Sequence, residues 1–164
     1  MNSALNELTM LYFKRKREQY PNFPIEYIAQ PKYKDTSANG LTRCIVEFLN
    51  MSNHQAERIS NAGRYIDQKK TYIDTLGIKR TIGTGKYIPG TGTNGTADIS
   101  ATINGKSVKV EVKIGRDKQS EDQENYQSAI EAAGGLYFVA RDFESFHVWY
   151  NHNFKTTING TEKN

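Results

Sequence analysis

Ala97-Asp98-Ile99-Ser100-Ala101-Thr102-Ile103-Asn104-Gly105-Lys106-Ser107-Val108-Lys109-Val110-Glu111-Val112-Lys113-Ile114 is the stretch that decides the fold. Asn104-Gly105 is the strongest short-range signal for a two-residue β-hairpin. It predicts a strand from Ala97 to Ile103 and a return strand from Lys106 to Ile114. A two-residue loop fixes the register, so residue 103 faces 106 and Asp98 faces Glu111. On the return strand Val108, Val110, Val112 and Ile114 share an apolar face, and Lys109, Glu111 and Lys113 share the other. Directly opposed residues hold their Cβ atoms roughly 4.5–5.5 Å apart, where two like charges weaken a sheet. A divalent cation between the two carboxylates would offset that repulsion, because hard metals take carboxylate oxygens. Lys113, on the same side, could orient a metal-bound water or balance charge on a phosphate. The residues alone leave a plainer reading open. Asp98 can pair with Lys109 or Lys113 on a solvated face, and a bulge would break the opposition.

Outward from the hairpin, Ser120-Glu121-Asp122-Gln123 opens a helix over 120–133 that Gly134-Gly135 ends. Leu136–Ala140 reads as a short apolar strand and Phe146–Tyr150 as another. Upstream, Leu5, Leu8 and Tyr12 mark a helix over 3–20, stopped by Pro21 and Pro24. Residues 25–39 read as an irregular connector. Leu41, Ile45, Phe48 and Leu49 mark a helix over about 40–52. Gln55–Ile66 reads as one strand that includes or ends at Gly63. Residues 67–80 are ambiguous. The glycine-rich 83–95 reads as a loop with a short strand at Lys86-Tyr87-Ile88. The tail from Asn151 is polar and expected to be loosely held.

The chain has 164 residues, enough for one domain with a real core. Hydrophobic residues make up 37% and charged residues 24%, which excludes a disordered chain. No apolar run approaches the roughly 18 residues of a membrane span, and Met1–Glu7 is no signal peptide, so a cytoplasmic protein is expected. The single cysteine, Cys44, sits in an apolar helical stripe and is expected to be a buried, inert thiol. The three histidines form no zinc spacing. Gly83-Thr84-Gly85-Lys86 lacks the preceding Gly and the following Ser or Thr of a nucleotide P-loop. A net charge of +4 permits a polyanionic partner without demanding one. Lys14–Arg17 reads first as cations at a solvated helix C-terminus, with a phosphate contact as the alternative.

Gly95-Thr96-Ala97-Asp98 followed by Val110-Glu111-Val112-Lys113 resembles the PD-(D/E)XK nuclease signature, with Ala97 where the name has Pro. More specifically, the chain is similar to the VRR-NUC branch, which includes stand-alone phage and bacterial nucleases. Gly115-Arg116, the Ser120-x-x-Gln123 helix start, Ala132–Gly135, Leu136–Val139 and the upstream Arg58–Gly63 follow in the order that this branch shows. The match covers about residues 40–150.

The resemblance implies an α/β, restriction-endonuclease-like domain over 40–150: a mixed central sheet flanked by helices. Residues 1–39 would be an extra N-terminal helical segment and 151–164 a polar tail. It implies that Asp98, Glu111 and the Val112 carbonyl bind magnesium or manganese, and that Lys113 acts on the attacking water or the scissile phosphate. Gln123 would position water or Lys113, and its helical stripe with Tyr126, Ile130 and Ala133 turns it toward the sheet. The branch carries an acid near the start of the preceding helix. Here either Glu47 or Asn39 holds that place, or a ligand is lost. Arg58, Arg64, Lys86 and Arg116 are candidates for contacts to nucleic acid. The implied activity is metal-dependent hydrolysis of DNA, in a structure-specific or a general mode, with a homodimer as a plausible assembly and no membrane partner. The alternative is a nuclease fold that binds nucleic acid without cutting it.

Overall fold

The structure is a computed structural model that describes residues 3–60, 63–90 and 92–155. Its elements, in chain order, are helix α1 (Ser3–Gln19), a 3-10 turn (Ile25–Tyr27), helix α2 (Ala38–Met51) and strands β1 (Gln55–Arg58), β2 (Arg64–Asp67), β3 (Lys70–Ile73), β4 (Lys79–Ile82) and β5 (Gly85–Ile88). There follow β6 (Ile99–Ile103), β7 (Lys106–Val112), helix α3 (Glu121–Ala132), β8 (Leu136–Ala140), helix α4 (Phe143–Tyr150) and a π-helical turn (Asn151–Lys155). The chain divides into two units, Met1–Ile59 with Asn94–Asn164, and Ser60–Thr93.

The first unit is α/β, built on a four-stranded mixed sheet of order β1-β6-β7-β8. Asn104 (φ 48°) and Gly105 (φ 79°) both take positive φ, as a tight hairpin turn requires, and the register follows. Ile103 pairs with Lys106 and Ile99 with Val110, in the series predicted from the turn. β1 runs antiparallel to β6 at one edge, and β8 runs parallel to β7 at the other after α3. Ile99, Ala101, Ile103, Val108, Val110 and Val112 line one face of the sheet and join the core with α1, α2 and α4. Phe48 of α2 makes edge-on ring contacts with Phe143, Phe146 and Tyr150 of α4. Gln123, Tyr126 and Ile130 of α3 are half-buried, while Ala133 is exposed. Tyr126 meets Tyr137 of β8 with ring centroids 6.4 Å apart.

Three sequence expectations change. Phe146–Tyr150 is helical, inside α4. Asp142 caps that helix by accepting from the Ser145 amide at 2.7 Å, and Phe143, Phe146, His147 and Tyr150 bury one stripe. The strand expected over Gln55–Ile66 stops at Arg58, where the Ile59 amide donates to the Asp98 carbonyl at 2.7 Å. The tail expected from Asn151 begins with an ordered turn that buries Phe154, and the part beyond Lys155 lies outside the described residues, as do residues 61–62 of the Arg58–Gly63 segment.

The second unit consists of two antiparallel ribbons, β2–β5 and β3–β4. The ladders belong to one register series, with Arg64 opposite Ile88 and Ile73 opposite Lys79. Its tip is organised by Asp74, whose carboxylate accepts from the Leu76 and Ile78 amides at 2.9 Å each and pairs with Arg80. None of the described residues between Ser60 and Thr93 is buried. Tyr65 lies over Gly85 and Tyr87 over Gly63, where an added Cβ would meet the tyrosine hydroxyl oxygen at 1.5 and 2.3 Å. These aromatic covers help hold a ribbon that has no core beneath it.

Candidate active site

The ladder between β6 and β7 ends at Ile99–Val110, one pair short of Asp98–Glu111. There the Asp98 side chain takes over from main chain: its Oδ2 accepts from the Val112 amide at 2.9 Å. The Asp98 carbonyl accepts from Ile59, just past the end of β1, so main chain and side chain of the residue are both held. Asp98 Oδ1 carries no hydrogen bond among the described residues.

Glu111 is 2% exposed and Lys113 is 7% exposed, and both lie on the sheet face opposite the apolar core. Charged groups this deep are rarely tolerated without partners. Lys113 Nζ is 3.2 Å from Glu111 Oε1 and 3.6 Å from Asp117 Oδ2. Gln123 Nε2 also donates to Glu111 Oε1. Glu111 Oε2 is buried with no hydrogen-bond partner. The Asp98 amide faces this carboxyl without reaching hydrogen-bond geometry. Burial, then the Asp98 charge, push the Glu111 carboxyl above its ordinary value, against the opposing pull of Lys113.

Gln123 is held by its place in the helix. It is the third residue of α3 and closes a capping box: the Gln123 amide donates to Ser120 Oγ at 3.4 Å, and the Ser120 amide donates to Gln123 Oε1 at 3.0 Å. With the oxygen committed to Ser120, the nitrogen of the same amide is left to face Glu111. Gly95 (φ 73°) brings the segment before Asp98 against this helix start. A Cβ there would lie 2.1 Å from the Asp122 carbonyl oxygen and 2.7 Å from the Gln123 nitrogen.

The structure thus brings Asp98, Glu111, Lys113 and Gln123 together. The other candidates stand elsewhere. Arg58 pairs with Ile99 and shares its face, lining a depression with Asn39, Thr42, Arg43, Val46 and Glu47. The Glu47 carboxylate accepts from Tyr33 and Arg43, both at 2.7 Å. Arg116 is exposed in the turn after β7, which Arg141 pins through the Gly115 and Asp117 carbonyls at 3.2 Å each. Arg64 and Lys86 are exposed on one face of the β2–β5 ribbon. Among the described residues no three His, Cys, Asp or Glu side chains group as a metal site. Cys44 is fully buried, and burial pushes its thiol up to about 11, as an inert thiol requires.

Sequence reading missed Asp117, the second anion on Lys113, and Tyr137, which is 9% exposed. Tyr137 pairs with Lys109 on the Glu111 face, and burial, then the Glu111 charge, raise its phenol above the ordinary value. Alternation along Leu136–Ala140 carried that signal.

No protein-family model matches the chain, and no curated protein matches it. Among the described residues no helix is long and apolar enough to cross a membrane.

Proposed function

We propose that the chain is a metal-dependent nuclease that hydrolyses phosphodiester bonds in DNA, with a restriction-endonuclease-like fold and a VRR-NUC-like form of the PD-(D/E)XK signature. The observation that carries this reading is the unpartnered Oε2 of buried Glu111 beside a second carboxylate whose Oδ1 is also unbonded. An unsatisfied buried acceptor costs roughly 1–3 kcal/mol, and more when charged. A hard divalent cation fits this donor set, because it satisfies both oxygens and relieves the repulsion between the two acids.

Asp98, Glu111 and the Val112 carbonyl would hold magnesium or manganese. Such an ion, when bound, activates water and stabilises charge developing on a phosphate. The chain's own groups do the rest. Asp98 stays oriented because one oxygen is tied to Val112. Gln123 and Lys113 grip one Glu111 oxygen and leave the other for the cation. Lys113 keeps a positive charge within reach of the reacting phosphate, and Asp117 holds it there. Dimerisation would set two such sites for two-strand cleavage.

Binding without cleavage is the second reading, favoured by one observation: among the described residues no third acid groups with Asp98 and Glu111 as a metal site, and Glu47 is engaged by Tyr33 and Arg43. Incubation with linear, single-stranded and branched DNA separates the two, with magnesium, with manganese and with chelator. The nuclease reading expects metal-dependent cutting that Lys113→Ala abolishes. Absence of cutting on every substrate would favour binding alone.

A further inference from the structure

The whole net charge of the chain resides in one segment. Between Ser60 and Thr93 stand six cations, Arg64, Lys69, Lys70, Lys79, Arg80 and Lys86, against two anions, Asp67 and Asp74. The other 16 Lys and Arg are balanced by 16 Asp and Glu, given 22 and 18 in all. Among the described residues of the ribbon unit, only Arg80 has an ion-pair partner, Asp74. The remaining five cations have no anionic partner among the described residues, and all are exposed. Five like charges on one slender element repel one another, and nothing in the element's packing requires them. Their arrangement suits a polyanion.

We propose that the β2–β5 and β3–β4 ribbons form a DNA-gripping arm that enters the major groove of a B-form duplex. This rests on the nuclease reading for the choice of nucleic acid among polyanions, and it adds where that polymer is held. Three observations favour a groove over a flat anionic surface. First, a two-stranded ribbon is one of the two elements that the major groove, about 12 Å wide, admits. Second, the cations of β3–β4 occupy both faces: Lys70 and Arg80 flank Tyr72 on one, and Lys79 stands with Thr71, Ile73 and Thr81 on the other. A groove has two phosphate-lined walls to meet them, whereas a flat surface meets one face. Third, the faces carry exposed groups suited to base edges and sugars: Tyr65, Tyr72 and Tyr87 at 62%, 44% and 62% exposure, and Ile73 at 72%. The deep, narrow major groove of an RNA duplex excludes such a ribbon.

The test uses the full chain and a fluorescent B-form duplex in chelator, where no cutting occurs, with affinity measured across a salt series. A variant carrying Lys69→Gln, Lys70→Gln, Lys79→Gln and Lys86→Gln should flatten the slope of log affinity against log salt by roughly 3–4, at about 0.9 for each phosphate no longer neutralised. The same four lysines changed to Arg should keep the native slope, which separates charge from folding. Neutralising Lys32, Lys34, Lys106 and Lys155 removes equal charge from the other unit and should leave the slope nearly unchanged. A slope that the ribbon variant does not alter, or that the control alters as much, overturns the proposal. So does equal affinity for an RNA duplex of the same length. With magnesium and saturating DNA the ribbon variant should still cut, so that loss of cutting and loss of grip are read separately.

Discussion

Between Ser60 and Thr93 no described residue is buried, whereas every buried residue of the described chain belongs to the other unit. The buried unit is electrically neutral by sequence, and the exposed ribbons carry the whole +4. The contrast extends to single residues. Lys113 is sequestered with two anions, while Lys69, Lys70, Lys79 and Lys86 stand in solvent unpaired. A lysine among packed neighbours is held for chemistry at one atom, and a lysine on an open ribbon offers only its charge. On the proposed reading the two units have separate roles: packing in the first supplies precision, and the unpacked ribbons supply attraction.

The hardest blow to this division is at Lys113. Lys113→Ala should reduce cleavage about a hundredfold to ten-thousandfold, the range of a positioned proton-handling group, with a far smaller change in DNA affinity in chelator. Parallel losses in both would erase the distinction between site and arm. Next comes stability. Phe48→Ala, in the centre of the aromatic core, should cost about 3–5 kcal/mol in denaturant unfolding. Ile73→Ala on the ribbon should stay within about 0.5 kcal/mol. An equal cost at both positions would show that the ribbon is packed in solution. A smaller effect is expected of Gly95→Ala, which forces a Cβ against the α3 start at positive φ: about 1–3 kcal/mol of stability, with a fall in cutting that exceeds any fall in affinity.

The mildest test is a pH profile. Glu111 has its folded pKa raised by burial and by Asp98, so folding favours its protonated form. That contribution is fully present below the unfolded value of about 4.3 and is lost as pH rises through the higher folded value. Thermal melts without metal should therefore show a stability component that declines upward from mildly acidic pH. Magnesium should restore it in the native chain and fail to do so in Asp98→Asn. A profile that Glu111→Gln leaves unaltered would remove Glu111 as its source.

The turn and register of the hairpin were legible, because Asn104-Gly105 admits few turns and alternation on both sides agrees with it, whereas the strands end two residues short of the expected Ala97 and Ile114. The site was legible as far as residues on that hairpin and the helix start carry it. The detail at Asp98 was not: a side chain replacing a ladder bond leaves no periodic trace. Phe146–Tyr150 misled because five consecutive bulky residues suit a buried strand, whereas the deciding signal, Phe143 with the Asp142 cap, lay just outside that window. The ribbons over 67–80 were unreadable for a deeper reason. Strand patterns are read from burial on one face, and this element buries neither.

The Ser120 capping box has one more consequence. Because a single amide both starts α3 and grips Glu111, fraying of the helix end and slackening of the site are one event. The first turn of α3 thus works as a latch, and amide hydrogen exchange at Gln123 and Glu124 reports how often it is open.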